Sequence, residues 1–483
     1  MKPKSIILRI LALLLVLFIA TGTFYACSSD DGKDDTGKTD DKNTQDSSVG
    51  DNGKDKDKEE DPPVSETELT SIKNLQDFVI IYPEGSVALE HASAAYLAEY
   101  ILEKTGYTLE VSDDTAEAKQ YEILIGDTNR DASAEAAGLT YGENDILIKT
   151  DGEKIVLYGK DLMVAGAMGE FASKYITGEV EIKLPKDGVI TQFEQKSAKN
   201  IILMIGDGMG FGHIELAKSR GLETFKAEFL PNQGTIKTSD VYGGVTDSAA
   251  AATALSSGYK TINGYLGVDK DLVSHKNIRE VAFEYGYKTA VITTDTLDGA
   301  TPSGFLVHFG DRNGAEEILA QANAVKESEG DMIYIAATND DAKKEGKVSE
   351  HLAAALKQIS TDSKGFFIMH EEAHIDKFAH NNATLDVDRR VKRFDESIAY
   401  AIAFTMAHPD TILIITADHE TGGITLDEES GKYKFTSKEH TGVDVPIFAF
   451  GQGTEIFSGQ STENTEVPKF LAKIFGVDVF GTY

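Results

Sequence analysis

Apolar and polar residues follow two different rhythms along this chain, and the change falls near residue 200. Ahead of that point the apolar stretches are short and bounded by turn formers, so residues 78–82, 107–111 and 121–126 read as strands. Ala94, Leu97, Ala98 and Ile101 fall at i, i+3, i+4 and i+7, which predicts one face of a helix stopped by Gly106. Residues 145–149 and 154–158 flank Thr150-Asp151-Gly152-Glu153, a hairpin signal, and residues 162–176 predict a second amphipathic helix. Together these make a small α+β domain over residues 69–190. Past residue 198 the apolar runs become continuous, at 201–205, 289–293, 366–369, 411–415 and 446–450, as in strands covered on both faces. Helical patterns at 277–283, 315–326, 349–357 and 388–406 separate them. Strands alternating with helices predict an α/β fold with a doubly wound, mainly parallel sheet and helices on both faces.

The first residues follow neither rhythm. Lys2, Lys4 and Arg9 precede an apolar run at 10–20, which reads as an export signal and is short for a membrane span. Cys27, the only cysteine, follows directly; its setting Phe24-Tyr25-Ala26-Cys27 resembles a bacterial lipobox, so residues 1–27 read as a lipoprotein-type signal with lipidation at Cys27. Simple cleavage nearby is the alternative. Residues 28–68 are almost free of apolar side chains and predict a disordered acidic linker. The formal net charge of −33 excludes nucleic acid as a natural partner. The membrane is reached only through the lipid anchor, on the outer face of the cell membrane.

Ligands of doubly wound sheets bind beyond the C-terminal ends of the strands. There this chain places Asp207, Glu371 and the pair Asp418-His419. Asp376 and His380 are four apart, so one helical turn puts both on one face. Carboxylate plus imidazole suits zinc, and oxygen-only donors suit magnesium. His440, flanked by turn residues, adds another imidazole. Asp247-Ser248 opens an alanine-rich run, with Asp247 suited to an N-cap and Ser248 to the first turn, where the helix dipole favours an anion. Read alone, that run is better taken as an ordinary capped helix.

Six segments in order make the chain resemble the alkaline phosphatases over about residues 198–483. They run from Asn200 to Gly210, from Thr246 to Ala250, from Ala300 to Pro302 with Arg312, from Glu371 to His380, from Thr416 to His419, and from Glu439 to Gly442. The resemblance implies hydrolysis of small phosphate monoesters, with Ser248 as the nucleophile that becomes phosphorylated. It implies a first zinc on Asp376, His380 and His440, a second on Asp207, Asp418 and His419, and a magnesium on Asp207, Thr301 and Glu371. Arg312 would grip the phosphate in a fork, with Lys377 nearby. Glu372, beside Glu371, is the weaker candidate ligand, and His308, His370 and His374 carry no ligand role.

Two departures stand out. Relatives usually carry Asp or His two residues before the magnesium threonine; this chain has Gly299, with Asp298 one step further back. The stretches between Arg312 and Glu371 and between His419 and His440 are short, which predicts an open site tolerant of many substrates. A diesterase or sulfatase on the same scaffold is disfavoured by Ser248. A surface protein with an inactive phosphatase-like half, touching carbohydrate through the small domain, is disfavoured by the intact set of buried charges. The oligomeric state is left open.

Overall fold

The computed structural model describes residues 69–85, 88–179, 181–186, 188–330, 332–335, 348–359 and 364–481. The signal segment, Cys27 and the acidic linker lie outside these residues.

The first sheet uses β1 (Val79–Tyr82), β2 (Glu110–Asp113), β3 (Glu122–Ile125), β4 (Asp145–Asp151), β5 (Lys154–Gly159) and β6 (Val189–Gln192), in spatial order β2-β1-β3-β5-β4-β6. The strands from β2 to β5 run parallel, while β4 and β6 are antiparallel additions through the hairpin at 151–154. β3 is buried at every position because it sits inside the sheet, whereas β2 at the edge is exposed or half-buried. Helices α1 (Ala88–Thr105) and α2 (Leu162–Tyr175) accompany this sheet.

The second sheet is built from β7 (Asn200–Gly206), β8 (Asn232–Lys237), β9 (Lys288–Thr293), β10 (Ile333–Ile335), β11 (Phe366–Glu372), β12 (Thr411–Thr416), β13 (Val445–Phe450) and β14 (Ser461–Glu463). Its order is β10-β9-β11-β7-β12-β13-β8-β14. The five strands from β10 to β12 are parallel, and the continuous apolar runs are their buried interiors. β13 is antiparallel to both its neighbours, so the sheet is mixed at one side. Helices α3 (Ser248–Ser257), α4 (Ala300–Gly304), α5 (His374–Ala379) and α6 (Thr384–Ala407) carry or support the residues discussed below.

The helix expected to be amphipathic, α2, is instead buried from Leu162 to Gly169. The reason is that it is covered twice, by its own sheet and by α6 of the second. The approach is close enough that a Cβ at Gly169 would stand 2.2 Å from the Met406 carbonyl oxygen. Beside it, Tyr96 of α1 meets Tyr400 and Phe404 of α6 edge-on, and Tyr400 donates a 2.9 Å hydrogen bond to Glu99. One hydrophobic core therefore runs through both sheets. Gly169→Ala is expected to push these helices apart at a cost of about 1–3 kcal/mol. Chemical denaturation should show a lower midpoint with the single transition retained.

Candidate metal centre and nucleophile

The parallel strands of the second sheet end together, and register decides what meets there. Glu371 of β11 lies opposite Ile205 of β7, and Thr416 of β12 lies opposite the same residue on the other side. The next residues out, Asp207 and Asp418, therefore emerge side by side. Backbone bonds fix the turns: Asp207 N–H donates to the Glu372 carbonyl at 3.1 Å, and Asp376 N–H to the Asp207 carbonyl at 2.9 Å. Asp418 Oδ1 accepts from the Gly208 and His419 amides at 3.0 and 2.9 Å, which leaves Oδ2 directed elsewhere.

Two groups of donor atoms result. Asp207, Asp418 and His419 form one, and Asp376, His419 and His440 the other, with ligand atoms inside 4.8 Å of each other in each group. His380 joins the second, its Nε2 lying 3.2 Å from His440 Nε2 and 3.3 Å from Asp376 Oδ1. The outer ring nitrogens are already committed: His380 Nδ1 to the Lys438 carbonyl and His440 Nδ1 to the Thr246 carbonyl. Donating there leaves each Nε2 lone pair for a cation. Among the buried side-chain atoms of the described residues that lack a hydrogen-bond partner are Asp207 Oδ1 and Asp418 Oδ2, and the buried Thr301 Oγ1, on α4, lies against Glu371. Unpartnered buried acceptors are costly, and divalent cations would satisfy them. The donor set fits: mixed nitrogen and oxygen for zinc, oxygen alone around Thr301 and Glu371 for magnesium.

Electrostatics points the same way. Burial, reinforced by Asp418, Asp376 and Glu371, pushes the Asp207 carboxyl well above the usual carboxylate range. Glu371 is pushed up to about 8 by burial and then by Asp295. Asp376 goes the other way: burial would raise it, but hydrogen bonds from His380 and His440 outweigh that and hold it low. The same contact lifts His380 to about 9, so without a cation Nε2 keeps a proton directed at Asp376, and a bound cation would displace it.

Ser248 is where the helix cap was expected to put it. Asp247 caps α3, its Oδ1 accepting from the Ala250 amide at 2.9 Å. Ser248 is buried, and its Oγ lies 3.1 Å from His419 Nε2, the ring common to both donor groups. A cleft of about 470 Å³ opens over it, lined by Asp247, Arg312, Asp376, His380 and His440 among others. Arg312 Nη1 donates to Asp247 Oδ2 at 2.9 Å, so the helix cap also aims the guanidinium. Lys377, on α5, pairs with Asp295. Glu372 is tied up elsewhere, accepting from Thr294 Oγ1 and the His374 amide.

Three supporting residues were not read from the sequence. Asn263 accepts from the Asp247 amide and donates to the Val245 carbonyl, both at 2.9 Å, clamping the loop before Ser248. Thr421 donates to Asp376 Oδ1 at 2.5 Å and lies 3.2 Å from His419 Nδ1. Its single hydrogen serves Asp376, so it accepts from His419 Nδ1–H, and Nε2 keeps its lone pair. No spacing signal marks either residue. Asp295 is the third, and the acid that meets Lys377 is this one rather than Asp298 beside Gly299.

Among the remaining histidines, His370 stacks on Phe394, and His374 lies 3.1 Å from Thr294 Oγ1. His308 bonds the Gly267 carbonyl through Nδ1 and Glu280 Oε1 through Nε2, at 2.8 and 3.0 Å.

Comparison with known proteins follows this geometry. The family description "Alkaline phosphatase" matches residues 198–340 and 331–438. Alkaline phosphatase 3 of Bacillus subtilis is 26% identical over 413 residues, spanning 58% of this chain and 89% of the relative. The structure of alkaline phosphatase from the Antarctic bacterium TAB5 superposes with a TM-score of 0.54 at 28% identity, covering 59% of this chain and all of that one. A variant of that enzyme with Mg bound in its M3 site gives 0.53 at the same identity and over 59% of this chain.

Thr421→Val should weaken zinc binding on the order of 10–100-fold, and Thr421→Ser should not; competition with a metal-sensitive dye checks this. A second expectation concerns pH. Burial lowers the His308 pKa, but Glu280 outweighs it and the net shift is upward from 6.5. The imidazolium therefore stabilises the fold fully below about pH 6.5, and that contribution is lost as pH rises through the raised value. Thermal melting of the native protein should lose more stability as pH rises from about 6.5 through the raised value than melting of His308→Gln.

Proposed function

The chain belongs, across its C-terminal half, to the alkaline phosphatase family, and from that premise we propose that it hydrolyses phosphate monoesters through a phosphoserine formed on Ser248. The observation that carries this reading is the setting of Ser248 Oγ, 3.1 Å from the imidazole shared by both donor groups and inside the cleft that Arg312 enters. Zinc would be held by Asp376, His380 and His440 and again by Asp207, Asp418 and His419, with magnesium on Asp207, Thr301 and Glu371. When bound, these ions supply Lewis acidity for the leaving oxygen, lower the pKa of a hydroxyl or water, and neutralise the crowded acids.

The chain's own groups do the rest. Arg312, steered by Asp247, offers its fork to two non-bridging oxygens and turns the phosphorus toward Ser248. The N-terminus of α3 adds its positive dipole end to the same anion. Ser248 Oγ forms a bond to phosphorus as the ester P–O bond breaks, and the alcohol departs with a proton. Water then attacks phosphorus from the vacated side and the Ser248 P–O bond breaks, releasing inorganic phosphate and restoring the hydroxyl. Lys377, held by Asp295, is the second cation that the family resemblance assigns to phosphate or to the water that follows. The cleft is open at Val245, Asn263 and Glu439, which supports a site that selects the phosphate and leaves the alcohol free. The signal-like residues 1–27 support an exported enzyme, tethered outside the cell through Cys27.

Ser248→Ala should lower turnover of para-nitrophenyl phosphate on the order of a thousand-fold or more while zinc stays bound. The native enzyme should prefer that monoester to bis-para-nitrophenyl phosphate and lose activity to a chelator. Undiminished turnover in Ser248→Ala would overturn the assignment.

A further inference from the structure

The family resemblance implies an acid or histidine two residues before Thr301, where this chain has Gly299. The structure shows what stands there instead. A Cβ built at Gly299 would lie 2.5 Å from Asp295 Oδ2 and 2.9 Å from Asp295 Cγ. The carboxylate of Asp295 thus fills the volume that a residue at 299 would need. Its other oxygen, Oδ1, accepts from Lys377 Nζ.

Asp295 reaches this place from the end of β9. It lies two residues past Thr293, its amide donating to Thr293 Oγ1 at 2.8 Å, and that hydroxyl donates to Glu371 Oε2. Asp295 and Glu371 therefore hang on one threonine. The Thr301 hydroxyl, 1% exposed, lies against the Glu371 carboxylate. Two carboxylates linked through one hydroxyl, with the buried Thr301 oxygen against the second, thus make an all-oxygen cluster to which Lys377 is paired. Asp298, the nearer acid in sequence, does not enter this arrangement.

We propose that Asp295 is a positioning residue that replaces the missing side chain at 299, holding Lys377 toward the phosphate and supplying the extra negative charge beside the magnesium pocket of Asp207, Thr301 and Glu371. The substitution of place has a physical cause. Asp at 299 would start from α4, whose cap is Gly299 itself, whereas Asp295 approaches from the strand end and needs the space above the cap to be empty. Gly299 and Asp295 are thus two halves of one solution, and either alone would fail: a glycine with no acid leaves Lys377 unanchored, and two acids would collide. Free of Asp295, the ammonium of a flexible four-carbon stem would sample many rotamers, and holding it at the phosphate would cost the binding step.

This rests on the metal-dependent monoesterase reading, and the experiment separates the two. Zinc-loaded native enzyme, Asp295→Asn, Asp295→Ala and the double variant Asp295→Ala with Gly299→Asp are titrated with magnesium by calorimetry. Each is then assayed for zinc content, competitive inhibition by inorganic phosphate, and kcat and KM with para-nitrophenyl phosphate. Two zinc ions per chain in every variant would show the site to be assembled. Asp295→Asn, close in shape, guards against misfolding. The expected result is a loss in magnesium affinity on the order of 10–100-fold in both single variants. Phosphate inhibition should weaken several-fold in parallel, and the double variant should recover both. Unchanged magnesium and phosphate affinity in Asp295→Asn, or a double variant no better than Asp295→Ala, would overturn the proposal. Absence of zinc and of monoesterase activity in the native protein would instead overturn the reading beneath it.

Discussion

Four carboxylates, those of Asp207, Glu371, Asp376 and Asp418, are buried together at the ends of the central strands. Water reaches none of them well, and each repels the rest through a medium that screens poorly. Two of them respond by resisting ionisation, while Asp376 is rescued by the imidazoles at its side. A fold that needed only stability would not assemble this group. It persists because the sheet delivers the acids by backbone register, which the strand interiors fix through apolar burial, and because multivalent cations can balance the charge. Chemistry at the site and cohesion of the core are thus one problem: loosen β7, β11 or β12 and the donor atoms lose their separation.

Around that cluster, a ring of uncharged groups sets direction. The carbonyls of Lys438 and Thr246 hold the far nitrogens of His380 and His440, and Thr421 does so for His419. Asn263 stitches the loop before Ser248, and Asp247 serves the helix cap and Arg312 with separate oxygens. Ser248, Arg312 and the clustered carboxylates and imidazoles are consequently linked through short chains of hydrogen bonds, which settle their orientation in advance.

Much of this was legible in the sequence because two simple rules apply. Continuous apolar runs mark buried parallel strands, and acids just after them mark the site; those rules find Asp207, Glu371 and Asp418. A capping acid before an alanine run finds Ser248. The same strand-end rule also singles out Asp295, two residues past the run at 289–293, but attention to the position before Thr301 draws the eye to Asp298 instead. Strand direction was not legible, since an apolar run has no arrow, and β13 proved antiparallel. Nor was the burial of α2, because periodicity records how polar a helix face is and not how many neighbours cover it. Thr421 and Asn263 work through geometry between distant loops, which one-dimensional spacing does not record.

The reversed strand β13 has a topological corollary. Because β12 runs toward the site and β13 runs away from it, everything between residues 417 and 444 begins and finishes on the same rim of the sheet. No crossover helix is required to bring the chain home. Within that excursion, Glu420-Thr421 pairs with His440-Thr441, so the His440 imidazole is restored to its place by a local ribbon rather than by the core. The exposed turn 428–431, at the tip of the small hairpin of Thr425–Asp427 with Lys432–Lys434, is therefore free to lengthen, shorten or diversify without disturbing the scaffold, whereas Lys438, whose carbonyl holds His380, is not. Descendants of this chain could acquire a lid, a docking arm or a narrower mouth there by insertion alone.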